Sequence, residues 1–567
     1  MTHPSSVTSF CALNLILTAT VISTMTRPST AADTTAAARA FIEDYELNIR
    51  PLEIATNKAW WDANTTGSDE AYAAKEAAEN KLDEALSSPE RFARLKEIHA
   101  GEIGDPLSAR QIRILYLRHL GKQVPPDLLK RMAAKANAIE KIFNVYRAQV
   151  GEQSLTDSQV RDILGKSSDS DERKRIWEAS KGVGAAVEKE LRELVFLRNE
   201  AARQLGFEDF HVMQCELSEQ KQADLVALFD ELDGLTREPF AKAKARIDEK
   251  LAQSYKITVD ELRPWHYHDP FFQEAPKVYD VDLDGPLKDQ DIVNICQRFY
   301  RGINLPIDDV IRRSDLFEKP GKSPHAFCTD IDRQGDVRVL ANIVSNQYWM
   351  GTMLHELGHA VYSSKNIPDA LPYLLRTDAH ILCTEGVAMM FERFASDGKW
   401  LQAFDVPIDN PQAYTAAGAQ MRSDKLLIFS RWCQVMLRFE IELYKNPGQD
   451  LNDLWWRLVH DYQGLTPPEN RNAPDYASKI HIVSAPVYYH NYMMGELFAC
   501  QVHAAIARQV LNDDQPSQAI YTDNPQVGAF MNEKVFGPGA TLSWNELTEH
   551  ATGEKLGSKA FAEEFEQ

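Results

Sequence analysis

The chain has no surplus of positive charge. Its 567 residues hold 62 Lys and Arg against 83 Asp and Glu, a formal net charge of −21, which argues against nucleic acid as a partner and leaves no polybasic surface for anionic lipid. Beyond the N-terminal stretch no apolar run is long enough to span a bilayer. Low-complexity tracts, repeats of fixed period and linkers are also missing, with proline and glycine scattered at 27 each. Cysteine is sparse: seven in all, none at zinc-finger spacing. With Cys11 in the leader, Cys215, Cys296, Cys328, Cys383, Cys433 and Cys500 remain. Their even number permits disulfides, but wide spacing and apolar neighbours suit buried thiols at least as well.

The leader itself has no Lys or Arg before its apolar part. Phe10 to Ile22 is nevertheless mainly apolar and too short to cross a membrane, and Thr30-Ala31-Ala32 offers small residues before Asp33. This pattern predicts a secretory signal over residues 1–32, a mature chain of 33–567, and a secreted or periplasmic location. Asn64-Thr65-Thr66 is a glycosylation sequon.

The most informative stretch is His355-Glu356-Leu357-Gly358-His359. On a helix, histidines four residues apart share a face, and the glutamate beside the first reaches a water in the open position of a bound metal. Ser345 and Asn346 offer N-caps, no proline intervenes, and Met350, Met353, Leu354, Leu357 and Val361 form an apolar stripe largely opposite the histidines. A metzincin would need Gly at 362 and His at 365, where this chain has Tyr362 and Lys365. The candidates for a third ligand are then Asp378, His380, Glu385 and Glu392. Glu385 is favoured because it lies in the apolar run from Ile381 to Phe391, where an unpaired carboxylate would be costly. The other three, Asp378, His380 and Glu392, read as a polar cap, a hydrogen-bonded structural histidine and an exposed or salt-bridged helix residue.

Further motifs give the chain a family likeness. Lys479-Ile480-His481-Ile482 with Tyr489-His490-Asn491-Tyr492, Ser314 to Pro320 leading to His325-Ala326, Lys58 to Asn64, and Asn199 to Phe207 resemble, in order, blocks of the angiotensin-converting enzyme (peptidyl-dipeptidase A) family of zinc dipeptidyl carboxypeptidases. The resemblance implies a mainly α fold, a large helical metallopeptidase with two subdomains around a deep cleft. It also implies one zinc ion on His355, His359 and Glu385, peptide substrates, and release of C-terminal dipeptides. By the same resemblance Glu356 is the general base and later acid, His481 and Tyr492 stabilise the oxyanion, Lys479 and Tyr489 hold the substrate's terminal carboxylate, and His325 with the Ala326 backbone binds near the scissile bond. Two other readings stand beside it: a thimet-type oligopeptidase, which shares the zinc triad but cuts internally, and a non-catalytic peptide-binding protein.

The chain departs from the family pattern in four places. The interval from His481 to Tyr492 is one residue longer, which makes Tyr488 an alternative to Tyr489. Asn491 stands where vertebrate members carry a chloride-binding arginine, which argues against anion activation there. Met389 replaces an aspartate that supports a zinc histidine, so that support must be built differently. The family's carboxylate-pocket glutamine should fall near Trp265-His266-Tyr267-His268, where none is present, so a shift in substrate preference is expected.

Helical periodicity marks Ala36 to Asn64, broken or kinked at Pro51, Pro126 to Gln149, Asp171 to Leu205, Gln222 to Ser254 and Tyr414 to Lys445. Ala326–Ile331 and Val337–Ile343 flank a polar turn at Gly335, predicting an antiparallel hairpin whose edge could pair with an extended peptide.

Overall fold

A computed structural model describes residues 31–276 and 281–565. Among these residues the fold is mainly helical, its strands confined to two small antiparallel hairpins, β1 (Ala148–Val150) with β2 (Gln153–Leu155) and β3 (Phe327–Asp330) with β4 (Val337–Leu340). Of the expected signal segment, Ala31 and Ala32 begin the helix Ala31–Asn48 and the remainder lies outside the described residues. No described helix is long and apolar enough to cross a membrane.

The long helices begin and end where local chemistry dictates. Pro51 cannot continue the first helix, so a break at Ile49 separates Ala31–Asn48 from Arg50–Thr66. The Asp169 carboxylate caps Ser170–Gln204 through the Asp171 and Glu172 N–H groups, and Asn410 caps Pro411–Lys445 through Ala413 N–H. The helix from Pro126 stops at Val145, short of the expected Gln149, because Ala148 to Val150 pairs with Gln153 to Leu155 across a tight turn. That β1–β2 hairpin is too short to carry a period-2 signal, so helical periodicity runs into it unnoticed.

The second hairpin lies where expected, and the structure supplies its register. Phe327 faces Leu340 and Asp330 faces Val337. The segment after Ser314 lies along the outer side of β4, Asp315 N–H bonding Val339 O and Ala341 N–H bonding Asp315 O, both at 2.9 Å. Trp60 and Trp61 of the second helix pack on Phe327, with ring centroids 4.2 and 6.0 Å away. The blocks Lys58 to Asn64 and Ser314 to Pro320 therefore buttress one small sheet.

Three helices then meet at close range: Gln347–Val361 with the histidines, Ile381–Glu392 with Glu385, and Tyr489–Ile506 with the tyrosines. A Cβ at Gly358 would lie 2.7 Å from the Ala388 Cα, and one at Gly386 would lie 2.7 Å from the Gly495 carbonyl oxygen. Glycine at both positions lets the backbones approach until side chains from all three helices share one centre. Around them one apolar core extends to Phe561, while Phe41, Tyr45, Leu95 and Ile112 of the N-terminal helices form a separate cluster with Tyr373 and Leu374. The six described cysteines are free thiols, five of them buried.

Candidate active site and metal centre

Asn346 caps the histidine helix by accepting Trp349 N–H at 2.8 Å, which sets the register of the turns that follow. His355 Nε2 and His359 Nε2 face each other at 3.2 Å, and Glu385 Oε2 lies 3.6 and 3.9 Å from them. All three donor atoms fall within 4.8 Å of one another, a group able to hold a metal ion. Each imidazole is oriented through its other nitrogen. His355 Nδ1 donates to Glu392 Oε2 at 3.0 Å, and His359 Nδ1 lies 2.8 Å from Thr384 Oγ1. A Nδ1–H committed to Glu392 leaves the Nε2 lone pair of His355 aimed at the shared point.

The remaining ligand candidates have other work. His380 caps the acid helix by accepting Leu382 N–H at 3.1 Å, and Asp378 accepts the Thr377 hydroxyl at 3.2 Å. Glu392 bridges His355 and Lys425, so it supports the centre from behind. Its place two helical turns beyond Glu385 answers how the histidine is held when Met389 replaces an acid.

Glu356 is buried beside the triad, and the cleft there is also lined by Ala326, Cys328, Thr384 and Tyr362. Burial pushes its carboxyl up to about 7, while His355 and the Cys328 backbone N–H favour the charged form. His325 is exposed just ahead of β3, and Ala326 lies on the cleft wall.

A second constellation sits beside the first. Lys479 Nζ donates to Gln273 Oε1 at 2.6 Å, and the Tyr489 hydroxyl donates to the same oxygen at 3.3 Å. No glutamine lies within Trp265 to His268, as the sequence reads, but Gln273, five residues beyond, stands beside Lys479 and Tyr489. Its own N–H is fixed by Asp269 Oδ2 at 2.5 Å. It is Tyr489, not Tyr488, that shares the Gln273 oxygen with Lys479. The Lys479 ammonium stands about equally far from the rings of Phe271, Trp432 and Tyr489, at 5.1, 5.2 and 5.2 Å. Burial pulls its pKa down to about 8, and this aromatic cage stabilises the cation without using up its hydrogen-bond donors.

The two constellations touch. Tyr489 and Tyr492 rings are 5.6 Å apart, the His481 ring is 5.1 Å from Tyr489, and the Glu385 charge is felt by the Tyr492 hydroxyl. His481 Nδ1 is buried with no hydrogen-bond partner among the described residues, and burial lowers the imidazole to about 4, which keeps it neutral near pH 7. Arg198 holds the turn after it through the Ile482 and Val483 carbonyls at 2.8 and 2.6 Å. Behind the tyrosine helix, Gln220 donates to Asn491 Oδ1 at 2.7 Å and lies 2.8 Å from His490 Nε2. Asn491, which stands at the place of the vertebrate arginine, belongs to a network with Gln220 and His490 that includes no Arg or Lys among the described residues.

Gln273, Thr384 and Arg198 are the site residues that sequence reasoning missed, and Glu392, weighed there as a ligand, holds His355 from behind instead. Only Arg198 carried a local signal, as the neighbour of the Asn199 to Phe207 block.

The sequence pattern of the angiotensin-converting enzyme family matches residues 32–567. The chain belongs to that family. It is 20% identical to the angiotensin-converting enzyme of Theromyzon tessulatum over 97% of this chain and 94% of the relative. Against the Mus musculus angiotensin-converting enzyme the identity is 21% over 94% of this chain, which spans 43% of that longer protein. The enzyme of Haematobia irritans exigua is 22% identical over 72% of each chain. The family is one of zinc metallopeptidases, and membership makes this protein an enzyme of the peptidyl-dipeptidase class, favoured over an oligopeptidase or a non-catalytic binder.

Proposed function

We propose that the chain removes dipeptides from the C-termini of peptides, with zinc on His355, His359 and Glu385 and with Lys479, Gln273 and Tyr489 measuring the cut from the substrate's end. Zinc suits the site because four-coordinate geometry with bonds of ~2.0–2.1 Å sets ligand atoms about 3.3–3.4 Å apart, close to the separations between these three donors. Once bound, the ion supplies a Lewis acid that polarises the scissile carbonyl and makes water acidic enough to be deprotonated near neutral pH.

The protein's own groups do the rest. Glu356 takes the proton from the attacking water and hands it to the leaving amine, so one carboxylate serves as base and then as acid. Tyr492 and His481 donate hydrogen bonds to the oxygen on which negative charge develops. The β3 edge, with Ala326 just ahead of it, pairs with the peptide backbone, and His325 flanks the same segment. Export to a secreted or periplasmic location follows from the leader sequence and belongs to the same reading.

The observation that carries the proposal is the shared Gln273 oxygen: it brings an ammonium and a phenol together one aromatic contact away from the metal-side tyrosine. Such an anchor recognises a carboxylate and fixes its distance from the cut. A peptide with a free C-terminus is expected to lose two residues at a time in a digest followed by mass spectrometry. Its C-terminal amide should show a KM raised at least about tenfold, the worth of a hydrogen bond to a charged group. Internal cuts indifferent to amidation would support the oligopeptidase reading instead.

The anchor also predicts a pH dependence. Lys479 is charged below about 8 and neutral above it, so binding of the terminal carboxylate is complete below that value and weakens as pH rises. KM for free-acid peptides should climb roughly tenfold per pH unit above the titration, following the charged fraction, while KM for the amide stays flat. Equal profiles for acid and amide would remove Lys479 from the anchor.

A further inference from the structure

The mechanism leaves the last turn of the chain unused, yet that turn reaches the metal centre through a run of charges. Glu564, which follows the short helix Lys559–Glu563, has a side chain only 6% exposed and accepts Arg393 at 3.0 and 3.1 Å and Arg422 at 2.8 Å. Arg393 is the residue after Glu392, and Arg422 lies one helical turn before Lys425 on Pro411–Lys445. Lys425 donates to Glu392 Oε1 at 3.3 Å, and the other oxygen of Glu392 holds His355 Nδ1. Glu496, from the tyrosine helix, faces both arginines, Lys425 and Glu392. Three carboxylates therefore balance three cations behind the histidine helix.

We propose that Glu564 is a positioning residue for the metal centre: by occupying Arg393 and Arg422 it leaves Glu392 to Lys425 and His355, so the C-terminal segment sets how firmly the metal is held. The proposal rests on the metal reading above. Its physical basis is the cost of an unpaired buried guanidinium. Arg393 and Arg422 are 6% and 21% exposed in their side chains, and without Glu564 the carboxylates left to them in the cluster are Glu392 and Glu496. Arginine's planar fork competes strongly for a carboxylate, and Glu392 is the direct sequence neighbour of one of the two. Drawn toward an arginine, Glu392 releases the Nδ1–H of His355, and the ring loses the contact that fixes its tautomer and direction. Glu563 provides the control: it is adjacent, carries the same charge, and pairs on the surface with Arg508 at 2.6 Å.

The test loads full-length protein with zinc and follows its release to excess chelator. Glu564→Gln should release zinc about tenfold faster or more, the usual effect of losing a group that orients a metal ligand, and Glu563→Gln should match the wild type. Should Glu564→Gln fail to fold, Glu564→Asp, which withdraws the carboxylate from both arginines by one methylene, should also release zinc faster than the wild type, by a smaller factor. Combined with Glu392→Gln, Glu564→Gln should add nothing, because both act at one junction. Unfolding of the metal-free proteins provides the separation from a merely structural role, which would lower their melting temperature and leave the release rate alone. Release at the wild-type rate in Glu564→Gln, or effects that multiply with Glu392→Gln, would overturn the proposal. A wild-type protein that takes up no zinc would instead sink the metal assignment itself.

Discussion

Glu356→Gln is expected to keep its zinc and lose about 10⁴-fold in kcat, the upper end of what a positioned acid–base group contributes. The amide has nearly the same shape, and Glu356 is not among the three converging donors, so the ion should stay. What disappears is a group that accepts a proton and returns it. Both transfers in the proposed reaction use this one side chain, which is why the expected loss is large. KM for a free-acid peptide should change little, because the terminal anchor is built from Lys479, Gln273 and Tyr489 on other segments. Single-turnover kinetics alongside metal analysis checks the prediction. Wild-type turnover in a zinc-replete Glu356→Gln would eliminate Glu356 as the base.

Glu385→Ala should show the opposite pattern: metal first, activity with it. Glu385 supplies one of three donors, and its loss leaves two imidazoles whose Nε2 atoms face each other at 3.2 Å. Removing an outer partner of a ligand costs roughly 10–100-fold in metal affinity, and removing a ligand itself should cost more. Zinc content after gel filtration is expected to fall well below one per chain, with hydrolysis falling in proportion. High added zinc should restore only part of the activity, since the open coordination geometry is no longer held. A Glu385→Ala protein that retains stoichiometric zinc would show that another donor completes the site.

The two variants probe the part of the site most legible in the sequence. His355, Glu356 and His359 lie within one helical turn and a little more, so their relation is set by local geometry alone. Glu385 was recoverable because a lone acid in an apolar helix needs a reason to be there. The hairpin before the histidine helix was readable from two apolar runs and a glycine turn. Lys479, His481, Tyr489 and Tyr492 were reached through family likeness, since a lysine or a tyrosine taken singly has no distinctive periodicity.

Gln273 shows where such reading stops. It lies 206 residues before Lys479, and nothing in the order of residues reveals that both end at the same oxygen. Glu392 shows the same limit in another form. In the sequence it is a ligand candidate with no named partner; in the structure it pairs with both His355 and Lys425.

By itself the sequence determined the helical class, the metal-binding turn and its glutamate, and the hairpin beside them. Each follows from chemistry within a few residues: side-chain period, capping and turn formation. Only the tertiary structure decided which acid supports His355, which tyrosine joins Lys479, which glutamine completes their pocket, and that Glu564 closes a charge network behind the metal. Those choices depend on three helices approaching at Gly358 and Gly386, and on distances across hundreds of residues that packing fixes and residue order does not record.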